Sequence, residues 1–315
     1  MKTYTIGVDL GGTNIKAGLV DEAHHIVDSV SCKTNLPRPE HEVEAEIAAL
    51  CSQLAQRAGL DMATQIESVG IGTPGSVNPH TGVVEFNANF GYRNWPLVSA
   101  MEKLLPCRVY IENDANAAAY GEYIAGAAQG AKYAIAVTLG TGIGGGIIID
   151  SKIIAGYHGA GGEIGHACVN HNEVRPCNCG NHGCLEQYAS ATGIVRVAND
   201  ILEESKEDSK MRHVEKLSAK NVLDFYKEGD ALAVKTMEKV GDILGSTLAV
   251  FACVTDPEAI VIGGGVSKAG KPLTDCIQKY YQKYAFPSCK STPIILASLG
   301  NDAGIYGAAR MVIKD

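Results

Sequence analysis

The strongest constraint on this chain is a pattern that occurs twice. Residues 4–21, YTIGVDLGGTNIKAGLVD, alternate into a glycine turn and run out again to an aspartate; residues 133–150, YAIAVTLGTGIGGGIIID, do the same 129 positions later. Ile6, Val8, Leu10, Gly11 and Asp21 fall on Ile135, Val137, Leu139, Gly140 and Asp150. Alternation with period two marks a half-buried strand, and glycine permits the tight turn between two strands. Each unit reads as a strand–glycine turn–strand hairpin. Two such units opening two halves of one chain predict a duplicated, two-lobed molecule with a cleft.

The remaining segments fill in both halves. HHIVDSVSCKT gives a third strand. Val43, Ile47, Leu50, Leu54 and Ala58 recur at helical spacing, and Gly59 stops that helix. IESVGIGTPG is a buried strand entering a Pro-Gly turn, VSAMEKLLP a short helix, CRVYIEND a strand and ANAAAYGEYIAG an alanine-rich helix. Residues 156–184 are too rich in glycine and cysteine for a regular element. SATGIVRVANDILEES is a helix that Ser190 or Thr192 can cap, and the polar run 203–220 reads as a solvated loop or helix end. Helices over 221–228 and 230–253 follow. Then come a strand and glycine loop (EAIVIGGGVSKAG), a helix (KPLTDCIQKYYQKYA), a strand (TPIILASLG) and a closing helix (GNDAGIYGAARMVI). The mixture specifies α/β lobes.

Bulk properties narrow the function. The 315 residues are 46% hydrophobic and 20% charged, the balance of a soluble globular protein with a real core. The net charge of −8 and the absence of any basic run speak against nucleic acid or an anionic membrane as partner. MKTYTIGVDLGGTN carries no apolar signal stretch, and no segment approaches a membrane-spanning length. The expected location is therefore the cytoplasm, where thiols stay reduced. Seven of the ten cysteines are scattered singly and read as small buried hydrophobes.

Three glycine loops each follow an apolar strand: DLGGTNIK from Asp9 to Lys16, TLGTGIGGG from Thr138 to Gly146, and GGGVSKAG from Gly263 to Gly270. Such loops let backbone N–H groups approach a phosphate. In the first, Gly11, Gly12 and Asn14 form the turn, Thr13 adds a hydroxyl, Lys16 a cation, and Asp9 is placed to hold Mg²⁺. In the second, Thr138, Gly140, Thr141 and Gly142 play the corresponding part. GTGIGG is followed by a strand, not a helix, which argues against a dinucleotide fingerprint.

With these loops at a repeat distance the sequence resembles the actin-like ATPase superfamily. That resemblance implies a two-lobed, ribonuclease H-like fold with a duplicated βββαβαβα core closing over ATP, and puts Gly264 and Gly265 at the adenosine pocket. The order DLGGTNIK … GIGTPG … ENDANAAAYGE … TLGTGIGGG … GGEIGH … CNCGNHGCLE … IVIGGGV is more specific. It resembles the ROK family of repressors, open reading frames and kinases, and within it the ATP-dependent glucokinases, over nearly the whole chain. The resemblance implies phosphorylation of a hexose, glucose first, at its 6-hydroxyl by MgATP. It makes Asp114 the general base. Gly75, Asn89, Asn113, Asp114, Glu163, His166 and Glu186 become the sugar-binding residues. It implies a small lobe of residues 1–117 plus 301–315, a large lobe of 118–300, hinges near 115–120 and 298–303, and a homodimer or homotetramer. Other ROK hexose kinases, acting on N-acylmannosamine, fructose or allose, are the nearest alternatives. A sugar-responsive ROK regulator is less consistent, because the phosphate loop starts at Asp9 and leaves no room for an N-terminal DNA-binding domain.

Cys177, Cys179 and Cys184 lie within eight residues, and a reducing compartment disfavours disulfides. Three thiolates and one imidazole form a standard closed zinc set. The resemblance strengthens zinc and supplies His166 as the fourth ligand. Cys168 is its main rival, with His171 and His182 also within reach. Four protein ligands leave no open position, so the expected zinc is structural.

Overall fold

The computed structural model describes residues 4–87 and 89–311, so the ends of the expected small lobe and of the closing helix lie outside the described residues. The first repeat unit folds as the hairpin β1 (Tyr4–Leu10) and β2 (Asn14–Val20), extended by β3 (Ile26–Lys33). Helix α1 (Glu40–Arg57) buries Val43, Ile47, Leu50 and Leu54 as their spacing requires, while Ala58 caps its exposed end. β4 (Ile66–Thr73) runs into a small antiparallel sheet of β5 (Ser76–Asn78), β6 (Val83–Asn87) and β7 (Tyr92–Trp95). Helix α2 (Leu97–Leu104), strand β8 (Arg108–Asn113) and helix α3 (Asp114–Ala125) complete the first half.

The second unit repeats this plan. β9 (Ala134–Leu139) and β10 (Ile143–Ile149) form the hairpin, and β11 (Lys152–Ile153) extends it. After the irregular segment come α4 (Glu186–Ala189), α5 (Ala191–Glu204), α6 (Ala219–Lys227) and α7 (Ala231–Thr255). β12 (Ala259–Gly263), α8 (Lys271–Tyr284), β13 (Ile294–Leu296) and α9 (Ala303–Arg310) close the chain. The sheets have orders β3-β2-β1-β4-β8 and β11-β10-β9-β12-β13. In each, an antiparallel hairpin with a third strand on one side adds two parallel strands on the other. The repeat seen in eighteen residues therefore extends through the topology of both sheets. Each sheet carries its own apolar core.

Helices α3 and α9 join the halves. Their backbones touch: a Cβ added at Gly307 would overlap the Ala117 carbonyl, and one at Gly121 the Ala303 carbonyl. The other side of α9 lies on the first sheet, where a Cβ at Gly7 or Gly70 would overlap carbonyls of Ile305 and Ala308. The alanines of α3 reach the second sheet, with Ala115 against Gly144 and Ala119 against Gly146. At the end of α3 the buried Glu122 carboxylate accepts N–H groups from Ala127 and Leu299 at 2.8 Å and from Ser298 at 3.1 Å. It ties the end of α3 to the segment that follows β13.

The run 203–220 is mostly exposed, as expected of a solvated loop or helix end, but it carries ordered structure of its own. Arg212 donates to the carbonyls of Glu207, Leu202 and Ser205 at 2.6–3.0 Å, which curls the segment into a turn. Met211 is thereby buried to 2% exposure. Ser190 is the cap of α5, accepting the Gly193 N–H at 2.9 Å. Among the described residues no helix is long and apolar enough to cross a membrane.

Replacing Gly70 with Ala forces a methyl group into the α9 backbone. Overpacking of this kind costs about 1–3 kcal/mol. The Gly70→Ala protein is expected to unfold at lower urea than the parent; an unchanged midpoint would show that α9 is not seated there.

Candidate active site

The first hairpin lines a cavity of about 320 Å³ with Asp9, Gly11, Gly12, Thr13, Asn14 and Lys16, joined by Asn301. Its tip is held from behind: Thr34 donates its hydroxyl to the Gly11 carbonyl at 2.7 Å and its N–H to the Thr13 carbonyl at 2.9 Å. Lys16 sits opposite Asp9 in the β1–β2 register and forms an ion pair with Asp302. Asp9 is pushed up to about 6, chiefly by burial, with the Asp114 carboxylate adding to the shift and Lys16 opposing it. Asn301 and Asp302 escaped sequence reading. Their only signal is their place in GNDAG, before the closing helix.

The second hairpin is fixed by the segment that follows the cysteines. Gly140 accepts the Ala191 N–H at 2.8 Å, Thr141 accepts the Thr192 hydroxyl at 2.9 Å, and the Ile143 N–H donates to Glu186 at 2.9 Å. Gly264 has φ +81°, and a Cβ there would come within 2.5–2.7 Å of the Leu139 backbone. Gly264 thus abuts the end of β9 beside Thr138, Gly140 and Gly142, with open space around the Cβ position of Gly265. The second and third glycine loops leave the same end of two neighbouring interior strands, β9 and β12, while the cavity above belongs to the first hairpin.

Helix α3 starts where β8 ends. Asn113, not Asp114, is its N-cap: the amide oxygen accepts N–H groups of Ala115 and Asn116 at 2.9 and 3.2 Å. The Asn113 amide donates to the Gly75 carbonyl at 3.1 Å. Gly75 has φ +101° and no room for a side chain, since a Cβ would overlap the Phe86 carbonyl. Asp114 follows in the first turn, half-buried. Burial pushes its carboxyl up, the Ala115 N–H opposes this, and Glu163 pushes it further up. Beneath them the buried Glu112 accepts the Asn113 N–H at 2.8 Å and the Asn116 amide at 3.1 Å. Asn89 stands exposed on a turn that Asn87 holds by accepting its N–H at 3.1 Å, and it faces Gly12 of the first hairpin.

The irregular segment brings Glu163, His166, Glu186 and the three cysteines together. Nε2 of His166 lies 3.9 Å from the Glu163 carboxylate, and its Nδ1 lies 3.8 Å from the Cys177 sulfur. Cys179 and Cys184 have their sulfurs 3.7 Å apart. The donor atoms of His166, Cys177, Cys179 and Cys184 all lie within 4.8 Å of one another. A tetrahedral ion with metal–sulfur bonds of about 2.3 Å sets its sulfurs about 3.8 Å apart, so the group fits a metal. The sulfurs are too far apart for a disulfide bond of about 2.05 Å. Burial pushes the Cys184 thiol up to about 12, and the neighbouring thiols add to it. Burial pushes the Cys177 thiol up as well, and a bound cation would favour the thiolate of both. Cys168 stands apart, its sulfur 3.4 Å from His171 Nδ1 and 3.8 Å from the His182 carbonyl. Of the two rivals, His166 is the one inside the group.

A feature without sequence signal anchors this segment. Arg175 donates to both oxygens of Asp200 on α5 and both oxygens of Glu173, all at 2.9 Å. Tyr188 donates to Glu173 at 2.7 Å, and the guanidinium holds the Glu173 carboxyl well below the usual range.

Two sheets of one topology, each presenting a glycine hairpin, with an acid-bearing helix start between a phosphate-type cavity and a polar cluster, define a two-lobed kinase of the actin-like ATPase fold. The chain belongs to the ROK family, whose profile matches residues 5–315. It is 39% identical to a glucokinase of Halalkalibacterium halodurans over 98% of this chain and 94% of that protein. It is 36% identical to a glucokinase of Thermotoga maritima over 99% of this chain and 98% of that one. Among solved structures, a ROK family glucokinase from Streptomyces griseus in complex with glucose and AMPPNP superposes with a TM-score of 0.78. That chain is 36% identical, over 98% of this chain and 99% of it.

The burial of Asp9 yields a stability prediction. Its carboxyl titrates near 3.8 when unfolded and near 6 when folded. Between those values the folded protein holds more protons, so this group's contribution to stability falls as pH rises through the window. Asp9→Asn is expected to be more stable than the parent at pH 7 by about 1–3 kcal/mol, with the gain gone by about pH 4. Urea melts at the two pH values test this; equal gains at both would contradict it.

Proposed function

We propose that this protein is an ATP-dependent glucokinase that transfers the γ-phosphoryl group of MgATP to the 6-hydroxyl of glucose, giving glucose 6-phosphate and ADP. The observation that carries this reading is the position of Asp114. Its carboxyl is close enough to feel Asp9 of the phosphate hairpin on one side and Glu163 of the polar cluster on the other. A group so placed can serve a hydroxyl held by the cluster and aimed at a phosphate held by the hairpin.

The roles follow from the chemistry of each side chain. The 6-oxygen attacks the γ-phosphorus, the bond to the β-phosphate oxygen breaks, and the hydroxyl proton passes to Asp114. Base assistance of this kind is worth about 10²–10⁴-fold. Asn113 keeps one amide hydrogen for the sugar once the other is given to Gly75. Glu163, Glu186 and Nε2 of His166 are suited to the ring hydroxyls, and Gly75 and Asn89 to the pocket wall. Backbone N–H groups of the hairpins and Lys16 suit the phosphates, and Gly264 with Gly265 suits the adenosine. Asp9 would hold Mg²⁺, which supplies charge neutralisation on the transferring phosphoryl group. His166, Cys177, Cys179 and Cys184 would hold a structural Zn²⁺, which supplies a fixed crosslink for the loop carrying the sugar ligands. With Nδ1 directed to the sulfurs, the His166 proton is left on Nε2, facing Glu163 and the sugar. The small lobe, 1–117 with 301–315, and the large lobe, 118–300, would close over both substrates about α3 and residues 298–303. Closure excludes water that would otherwise take the phosphoryl group.

Coupled ATP turnover over a panel of hexoses tests the assignment, with glucose expected among the best substrates. A preference for fructose or N-acylmannosamine with glucose inert would overturn it. Asp114→Asn is expected to lower kcat by about 10²–10⁴-fold while glucose binding by calorimetry stays within a few-fold. The base must be ionised, and its carboxyl is pushed up, so kcat/KM should rise with pH through a value above the ordinary carboxylate range. Removal of zinc by chelation should abolish glucose binding along with thermal stability. Zinc-free protein with unaltered glucose affinity would refute the crosslink role.

A further inference from the structure

Asp302 holds a position that the phosphate chemistry does not use. It pairs with Lys16 across 286 residues of sequence, and both side chains are only partly exposed, at 48% and 31%. Asp302 is also the residue before the first turn of α9, where an aspartate ordinarily accepts N–H groups from that turn. Here no such bond forms. Its backbone is helical, at φ −98° and ψ −11°, because a 3₁₀ turn, Gly300–Asp302, runs directly into α9. The carboxylate is turned away from its own helix and toward Lys16. Lys16 has a second carboxylate, Asp9, directly opposite it in the hairpin register. Two acids thus flank one ammonium at the cavity that Asn301 helps to line.

We propose that Asp302 is a built-in competitor for Lys16. It occupies the lysine in the nucleotide-free protein, is displaced when phosphates enter, and recaptures Lys16 as ADP leaves. Asp302 therefore weakens nucleotide binding and speeds product release. The inference rests on the reading that the Asp9–Lys16 hairpin takes phosphates. The alternative is that Asp302 steers the Lys16 head toward the phosphates. That role predicts the opposite sign, so one substitution separates the two.

A partly exposed ion pair is worth up to about 1 kcal/mol, about fivefold in an equilibrium. In Asp302→Asn the KM for MgATP and the Kd for ADP by calorimetry are expected to fall about two- to fivefold. The kcat should fall with them wherever ADP release limits turnover. Asp302→Ala should show the same direction, which separates loss of charge from a new amide contact. In a Lys16→Met background, Asp302→Asn should no longer tighten ADP. A rise or no change in ADP Kd for Asp302→Asn in the parent background overturns the proposal, as does tightening of equal size without Lys16. If Lys16→Met alone leaves ADP affinity intact, the phosphate reading of the hairpin is what fails. Circular dichroism melts of each variant verify folding. If Asp302→Asn does not fold, Asp302→Glu, which keeps the charge on a longer arm, should leave ADP Kd near the parent value; a Glu variant that binds ADP more than fivefold tighter overturns the proposal.

Discussion

The backbone-to-backbone contact of α3 with α9 is the constraint on which the rest of this structure depends. Glycines at 121 and 307 let the two helices approach until carbonyl and Cα meet. Glycines at 7 and 70 let α9 lie equally close on the first sheet, and the alanines of α3 reach the second. Each lobe can bury its own sheet without the other. This pair of helices gives the halves a shared element, and Asp114, the proposed base, is the first residue of one of them. The first hairpin reaches the same pair through Asp302 and the start of α9.

The segment that carries Glu163 and His166 is organised differently, because residues 154–185 have almost no regular structure to hold them. The segment makes few ladder hydrogen bonds and has no helix long enough to stand alone. Its order comes from point crosslinks: the four donor atoms of the metal group, the fork of Arg175 onto Asp200 and Glu173, and the bonds from α4 and α5 to the second hairpin tip. Glu186 belongs to two of these systems. It accepts from Ile143 in the hairpin while its other oxygen lies 3.9 Å from the Cys177 sulfur. The carboxylate proposed to meet the sugar therefore also couples the cysteine cluster to the second glycine hairpin.

Much of this was legible in the sequence. The hairpins, their repeat and most helices show in the alternation and spacing of apolar residues, and the metal group in three cysteines close together. What was not legible depends on long-range contact. The run 203–220 is mostly charged and polar, yet three carbonyls gathered by Arg212 fold it and bury Met211. The motif ENDAN does not say which residue caps α3, and the cap is Asn113. The choice is made by a strand end that aims the Asn113 amide at Gly75, a contact spanning 38 residues. Arg175, Asn301 and Asp302 carry no motif at all.

The sequence by itself determined the local alphabet: which stretches alternate, where glycine turns the chain, which acids and thiols are available, and that the plan is made twice. Tertiary structure alone decided which of those groups meet. It put His166 rather than Cys168 among the sulfurs, brought Asp114 within reach of the charges of Asp9 and Glu163, and delivered Asp302 to Lys16. The reason is physical. Strand period and turn chemistry act over a few residues and are written in neighbouring side chains. The distance between two charges far apart in sequence is set by how closely two helices and two sheets can pack.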